Sequence, residues 1–547
     1  MFNLYLRKAD PQLFMKTLFL RASGNFFDLL YSHKALLSLI LLLAFSLRIV
    51  YVNQPLNDAF SWRESSTAMM AENYYKGNWN IFYPQVSWVG TEKGYQGREF
   101  QTVSYTTAIL YRIFGQHEWV GRCVVVLFGV WGVFALYKLV SLIWDKKHAL
   151  AAALIMAIAP GSIFIERSFL PDPAMVSLVT TALWLFVQYL QNGNRKYLFA
   201  AAAVGCLGFL TKIPGMIIGL SMLYAAYTIL KSKGEWHSRN VRLLVLVALV
   251  ILFLVGGYYL WARHLSHTYP PYHFAGEGNW IWDRGLLNWI KEKYFLPKMA
   301  RLSVTSLWGP PVLLLFFMGL FLSPPFTPSN NNTQSSGNNA PYIFHFWLLG
   351  FLFFYFLGAR EITSNRWNAH IVSPVVAVFS GRALLLIISY NRLRIIGVIK
   401  AALIFMTILV SNYYILKKHY IYPISITEYQ MGKALQSLKT SGDLVVTLSR
   451  VPGDVTPIYS SGSRGWVFPP FGEDMGTTLP DDALSIDDSV NIASIERIRQ
   501  KGAKWFGIVK RQYEKINERH LEFAAFLDKN YTVVREADKF VILQMSP

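Results

Sequence analysis

The polar stretch from Asn53 to Gln101 follows the first long apolar run and carries Asp58, Arg63, Glu64, Glu72, Glu92, Arg98 and Glu99. A carboxylate held in such a loop can take the proton of an attacking hydroxyl, which makes Asp58 and Glu64 candidate general bases. Arg63 between them is either the ion-pair partner of one or a ligand for an anion. Arg98 and Glu99 close the stretch, either as a surface ion pair or as support for an acceptor. Further along, "IERSFLPDPAM" sets Glu166, Arg167 and Asp172 at the junction of two apolar runs. Asp172 precedes Pro173, the pattern of a helix N-cap. With a guanidinium nearby it also suits an anionic substrate, so Asp172 is a third candidate catalytic acid and Arg167 a candidate phosphate ligand.

Lys212 in "FLTKIPG" stands where Pro214 and Gly215 break an apolar run, as a snorkelling lysine or as a second phosphate ligand. "REITSNRWNAH" adds Arg360, Arg366 and His370, with Trp367 as an aromatic contact for an acceptor. His264, His267, His273 and Glu277 crowd one loop, and with Glu99 they admit a divalent metal (Glu99, His264 and His267). Their spacing matches no strong metal signature, so the metal is admitted without being required. Cys123 and Cys206 lie inside apolar runs and suggest no disulfide.

These groups need a scaffold in lipid. The chain has 547 residues, 53% hydrophobic and 16% aromatic, and apolar runs recur from Ala35 to Leu416, which excludes an ordinary soluble protein. The expected fold is a polytopic α-helical membrane protein of about eleven spans, with twelve or thirteen as the upper bound. The expected spans are Ala35 to Val52, Trp119 to Ile143, Ala149 to Ile165, Pro173 to Leu190, Tyr197 to Leu210, Ile213 to Leu230 and Val241 to Trp261. They continue with Val304 to Leu322, Tyr342 to Leu357, Ile371 to Ile388 and Ile395 to Leu416. The formal charge of +20 falls largely in loops between spans, which cytoplasmic-loop bias accounts for without nucleic acid.

Thr102 to Phe114 is short and carries Arg112. If it lies along the surface, the loops rich in Lys and Arg share one side with the basic N-terminus, as the positive-inside rule requires. Loop 53–101, the Glu166 to Asp172 turn, the Arg263 to Ala300 loop, the Arg360 to His370 loop and the tail then share the outer side of a cell membrane. In loop 53–101, Met69, Met70, Asn73 and Tyr74 are spaced for a short amphipathic helix in the interface. Ser323 to Pro341 is an uncharged linker. The expected domains are 1–416 in the membrane and 417–547 as a small soluble α/β unit, with "DLVVTL", "TPIYSS", "KWFGIV", "YTVV" and "FVILQM" as β-rich runs.

In order along the chain, "GREFQTVSYTTAILYRIFGQHEWVGR", "RSFLPDPAM", "LTK" and "RWNAHIVSPVVAVFSG" resemble the C-type membrane glycosyltransferases, which include protein O-mannosyltransferases and lipid A aminoarabinose transferases. The resemblance covers roughly the first four hundred residues. It implies inverting transfer of a sugar from a polyprenyl-phosphate carrier to a lipid, glycan or protein acceptor at the outer face. It further implies that a first-loop acid is the base, that Asp172 orients the acceptor or binds a metal, and that Lys212 and the arginines hold the leaving phosphate. Where an Asp is expected near the start of the first-loop helix, "WRESSTAM" offers Glu64, with Asp58 upstream, so the choice of base stays open. The rival reading is a transporter of lipid-linked glycans, which would bury charges mid-span and show repeated halves. Here the charges gather at outer helix ends, and the sequence shows no internal repeat.

Overall fold

The computed structural model describes residues 32–77, 79–236, 239–272, 287–325, 340–389, 394–417, 423–470 and 484–545. Apolar helices form the bundle: α1 (His33–Ile49), α4 (Glu118–Ile143), α5 (Lys146–Ile158), α6 (Asp172–Asn192), α7 (Arg195–Thr211), α8 (Ile218–Ser232) and α9 (Arg239–Thr268). They continue with α10 (Gly309–Leu320), α11 (Ile343–Leu357), α12 (Ser373–Ser389) and α13 (Arg394–Leu416). Between α1 and α4 the polar loop holds α2 (Ser61–Lys76) and α3 (Thr102–Phe114). Among the described residues six helical segments are long and apolar enough to cross a bilayer, or seven if the bent pair Phe295–Leu307 and Gly309–Leu320 is one span. Several of the other expected spans are shorter helices: α1 and α7 have 17 residues, α11 has 15 and α5 has 13. The chain is a multi-pass membrane protein.

α5 is short because Pro160 interrupts it, and a helix broken in lipid leaves carbonyls that need donors. Arg48, buried near the end of α1, supplies them: its Nη1 donates to Ala157 O (2.9 Å) and its Nη2 to Met156 O (3.1 Å). A charge in the first apolar run is thereby used to seal a helix end.

The expected interfacial helix in the first loop is instead a core helix. α2 buries Arg63 through Ala71 and Tyr74, so it has no wet face along most of its length. Met69, Met70 and Tyr74 pack into a cluster with Met431, Leu435, Ile458 and Val467 of the C-terminal region. Small side chains (Ser65, Ser66, Ala68 and Ala71) let neighbours approach from several sides. Of the two serines, Ser66 has a partner, its Oγ accepting from Arg98 Nη1 at 2.9 Å.

The C-terminal region begins with α14 (Ile426–Leu438) and builds a five-stranded sheet in the order β2-β1-β3-β5-β4: β1 Leu444–Leu448, β2 Gly465–Val467, β3 Ala503–Val509, β4 Thr532–Glu536 and β5 Phe540–Gln544. β2, β1 and β3 run parallel, and β5 and β4 close the far edge antiparallel. "TPIYSS" is a helix (Thr456–Ser461) and not a strand. Pro457 opens its first turn, and Gly462 at φ +64° ends it in the left-handed conformation.

The free edge of β2 is covered by the first loop. Val89 bridges Trp466, Gly465 N–H donates to Ser87 O (3.0 Å) and Gly90 N–H donates to Gly465 O (2.7 Å). Arg464 donates to the carbonyls of Gly90 (2.7 Å) and Glu92 (2.8 Å). The loop thus acts as an added strand, and the sheet and the first loop lie on the same side of the bundle.

Candidate active site

The end of α1 and the turn after it expose backbone carbonyls, and two arginines collect them. Arg122, from the first turns of α4, donates to Gln54 O. Arg167, from the turn before α6, donates to Val50 O (3.0 Å) and Tyr51 O (3.4 Å). The same guanidiniums hold the two candidate bases. Asp58 Oδ2 is 3.1 Å from Arg122 Nη2 and 3.7 Å from Arg167 Nη2, and Glu64 Oε1 is 3.4 Å from Arg122 Nε. Glu64 Oε1 also accepts Phe169 N–H at 2.7 Å, which ties the first loop to the turn before α6. Two carboxylates and two guanidiniums therefore form one buried, charge-balanced group.

Within that group the acids differ. Burial, then the proximity of Glu64, raises the Asp58 carboxyl well above its usual value against the pull of Arg122 and Arg167. Burial also pushes Glu64 up, but Arg122, the neighbouring Asp58 and Phe169 N–H together outweigh it and hold Glu64 below its usual value. Glu64 is the anchored, ionised partner, and Asp58 is the stronger proton acceptor of the two.

Asp172, Lys212 and Asn368 meet in a second cluster. Lys212 Nζ lies 2.7 Å from Asp172 Oδ1 and 2.5 Å from Asn368 Oδ1. Asp172 does not cap α6. The cap position is Pro171, which has no side-chain bond, and the Asp172 carboxylate turns instead to Lys212. Its Oδ2 is buried and makes no hydrogen bond among the described residues. The lysine side chain is 15% exposed, so it is not a snorkelling residue reaching for bulk water but the open side of a paired site.

The third group is Arg63, Glu99 and Arg98. Arg63 pairs with Glu99, not with Asp58 or Glu64. Arg98 is buried against Ser66, Gln96 and Glu99, which excludes a plain surface pair. Phe100 N–H donates to Leu210 O (2.9 Å), and Thr102 Oγ1 meets Thr211 Oγ1 (2.6 Å), so Glu99 and Lys212 border one junction. α9 clamps that junction: Tyr258 OH donates to Arg98 O (3.1 Å) and Tyr259 OH to Leu210 O (3.2 Å).

Aromatic rings connect the groups. Trp367 packs on Phe60 (centroids 4.9 Å apart) and Trp62 (6.1 Å), and Arg366 lies over Phe60 at 5.3 Å. The 3-10 turn Arg366–Val372 that carries Trp367 and Asn368 is fixed from below by His370, whose Nε2 is 3.0 Å from Glu166 Oε1. Glu166 Oε2 in turn accepts Arg48 Nε at 2.7 Å.

Of the candidates read from sequence, Asp58, Glu64 and Arg167 share one cluster, Asp172 and Lys212 a second, Arg63 and Glu99 a third. Trp367 packs on Phe60 and Trp62, and Arg366 lies over Phe60. The Arg360 side chain, His273 and Glu277 lie outside the described residues. The metal set is not formed: among the described residues no three His, Cys, Asp or Glu side chains converge, since Glu99 faces two arginines and His264 bonds Thr268 on its own helix. Arg48, Arg122 and Asn368 were not among the candidates, and Glu166 and His370, noted in the sequence without a role, pair with each other beneath the site. Arg48, a charge inside an apolar run, carried a usable signal.

The family model for dolichyl-phosphate-mannose-protein mannosyltransferase matches residues 102–261, the segment that holds Arg122, Glu166, Arg167, Asp172 and Lys212. A Bacillus subtilis (strain 168) protein named as a candidate mannosyltransferase, YkcB, is 32% identical over 101 residues, 18% of this chain and 14% of its own length. ArnT from Cupriavidus metallidurans, solved bound to undecaprenyl phosphate, shares the fold at a TM-score of 0.60 and 13% identity, over 93% of this chain and 97% of that one. The archaeal oligosaccharyltransferase AglB from Archaeoglobus fulgidus, solved with an inhibitory peptide and a dolichol-phosphate, shares it at 0.57 and 14% identity, over 92% and 72%. Residues 102–261 thus resemble this mannosyltransferase family, and the chain as a whole shares the fold of the two solved transferases.

Proposed function

We propose that the protein transfers a sugar from a polyprenyl-phosphate carrier to a lipid, glycan or protein acceptor at the outer face of a cell membrane, with inversion. The observation that carries this reading is the convergence of Lys212 on Asp172 and Asn368, three segments far apart in sequence. A lysine held by one carboxylate and one amide oxygen has a third donor left for a ligand oxygen. Arg366, in the same turn as Asn368, adds positive charge nearby. In the reaction the acceptor oxygen attacks the anomeric carbon as the carbon–oxygen bond to the lipid phosphate breaks, and that phosphate departs with the electron pair. Fixed cations in a poorly hydrated cleft stabilise the charge growing on it.

The proton of the acceptor hydroxyl goes to Asp58. Its raised carboxyl makes the ionised form the better acceptor, and Arg122 and Arg167 balance that form. Glu64 positions Asp58 through the shared Arg122. The relatives support the donor class: the solved structures hold undecaprenyl phosphate and dolichol-phosphate, and the family description names a dolichyl-phosphate sugar. The C-terminal region, on the same side, supports the acceptor.

Mass spectrometry of lipid-linked sugars and surface glycans, in cells with and without the gene, tests this reading. Loss of one sugar from a glycan with accumulation of its polyprenyl-phosphate donor is the expected result. An unchanged donor pool with an assembled glycan trapped on the inner side would replace the transferase with a transporter.

A further inference from the structure

α12 begins at Ser373, directly after the turn that carries Trp367 and Asn368, and descends away from the site. Arg382 lies roughly 13 Å further along it at 1.5 Å per residue. Gly381 beside it is packed on the backbone of Ala151 and Ala152 in the early part of α5. Arg382 therefore sits where the far ends of α4, α5 and α11 meet, on the opposite side of the bundle from the proposed transfer.

This arginine is 5% exposed, and its Nη1 is buried without a hydrogen-bond partner. Its guanidinium lies 5.4 Å from the ring centre of Trp144, and among the described residues no carboxylate pairs with it. The acid nearest in sequence to that ring, Asp145, is already engaged. It accepts Lys147 N–H (2.7 Å) and His148 N–H (2.9 Å) and pairs with the His148 ring (2.6 Å). His345, in the first turn of α11, contributes a second orphan: its Nδ1 is buried and unpartnered, and its ring packs on Phe379 at 4.7 Å. Phe379 in turn faces Trp144.

A lysine in such a place could shed its proton, but a guanidinium stays charged, so the charge has to be met by an anion. Intramembrane charges of this kind mark ligand sites more often than packing. We propose that Arg382, with His345 and the face of Trp144, binds the phosphate of a phospholipid head group from the leaflet opposite the active site. Planar guanidinium geometry suits two phosphate oxygens, and the aromatic wall suits the apolar part of the lipid.

Native mass spectrometry of the purified full chain, titrated with phosphatidylglycerol, tests this. Wild type should retain one more tightly bound lipid than Arg382→Gln, and the variant should bind it at least tenfold more weakly. Arg382→Lys, which keeps a charge, and His345→Phe guard against misfolding by giving intermediate loss in a monodisperse sample. Inorganic phosphate is the second probe. No competition up to millimolar concentration assigns the site to lipid, whereas protection of wild type but not of Arg382→Gln assigns it to free phosphate. Equal lipid stoichiometry and affinity in wild type and a folded Arg382→Gln would overturn the proposal.

Discussion

Asp58 and Glu64 share two guanidiniums, and the pH behaviour of transfer follows from how the pair divides them. Asp58 must be ionised to accept a proton, so the rate falls as pH drops through its raised carboxyl. Glu64→Gln removes one of the influences that raise Asp58, and the acid limb of the kcat/KM profile should move to lower pH with activity retained. Asp58→Asn should abolish transfer, and an unmoved limb in Glu64→Gln would contradict the assignment. At the second cluster, Asp172→Asn leaves Lys212 without its counter-charge and should reduce turnover more than tenfold, while Asn368→Ala should mainly raise KM for the donor. Asp58, Glu64, Arg167, Asp172 and Lys212 of these two clusters were legible in the sequence, because ionisable groups at the ends of apolar runs are costly and stand out, whereas Arg122 was missed. Asn368 was not legible, since an amide in a polar loop carries no such cost. The pairing of Arg63 with Glu99 rather than with its neighbours in sequence depends on where α2 rolls, which its evenly mixed faces do not reveal.

α2, the 85–95 segment and β2 behave as one element assembled from two ends of the chain. Gly465 is essential to it: a Cβ there would collide with the Val445 carbonyl across the parallel pair. Gly465→Val should therefore detach the first loop from the sheet, seen as loss of hydrogen-exchange protection at 85–95, with a fall in transfer although no group near Lys212 has changed. Retained protection would show that the loop holds itself. A similar close approach pins Gly97 against the Ala262 carbonyl of α9, which explains why the loop enters the site at that point. The β-rich runs of the tail revealed four of the five strands, and the alternation of short strands with helices gave the α/β character. β2 has only three residues and was not visible. "TPIYSS" was misread because its β-branched residues are outweighed by Pro457 and Gly462 at the helix ends. "GSRGW" has no periodicity, and its role appears only once Arg464, Gly465 and Trp466 are seen on the first loop.

Over the whole molecule, a helical bundle and a mixed sheet meet through the first loop, so the stability of the sheet bears on the site. Asp454 is buried with its carboxyl raised to about 6, mainly by burial, though Thr456 N–H opposes the rise. A proton bound more tightly in the folded state stabilises it fully below the usual value of 3.8, and the effect is lost as pH rises through about 6. Hydrogen exchange in the sheet should thus show greater stability at pH 5 than at pH 7.5, by about 1.4 kcal/mol, and Asp454→Asn should flatten the difference. Architecture was the most legible level, because long apolar runs and the fall in hydropathy after Leu416 follow from the bilayer itself. The number of spans was less so, since helices such as α5 are cut short by proline and completed by a distant arginine. The central claim is that Lys212 binds the leaving phosphate, and release of polyprenyl phosphate by the purified full chain in nanodiscs, supplied with a polyprenyl-phosphate sugar and acceptor, tests it most directly. Wild type should release the carrier in step with acceptor glycosylation, and a folded Lys212→Met should be slower by roughly 10²- to 10³-fold. Equal release by the two proteins would contradict the account.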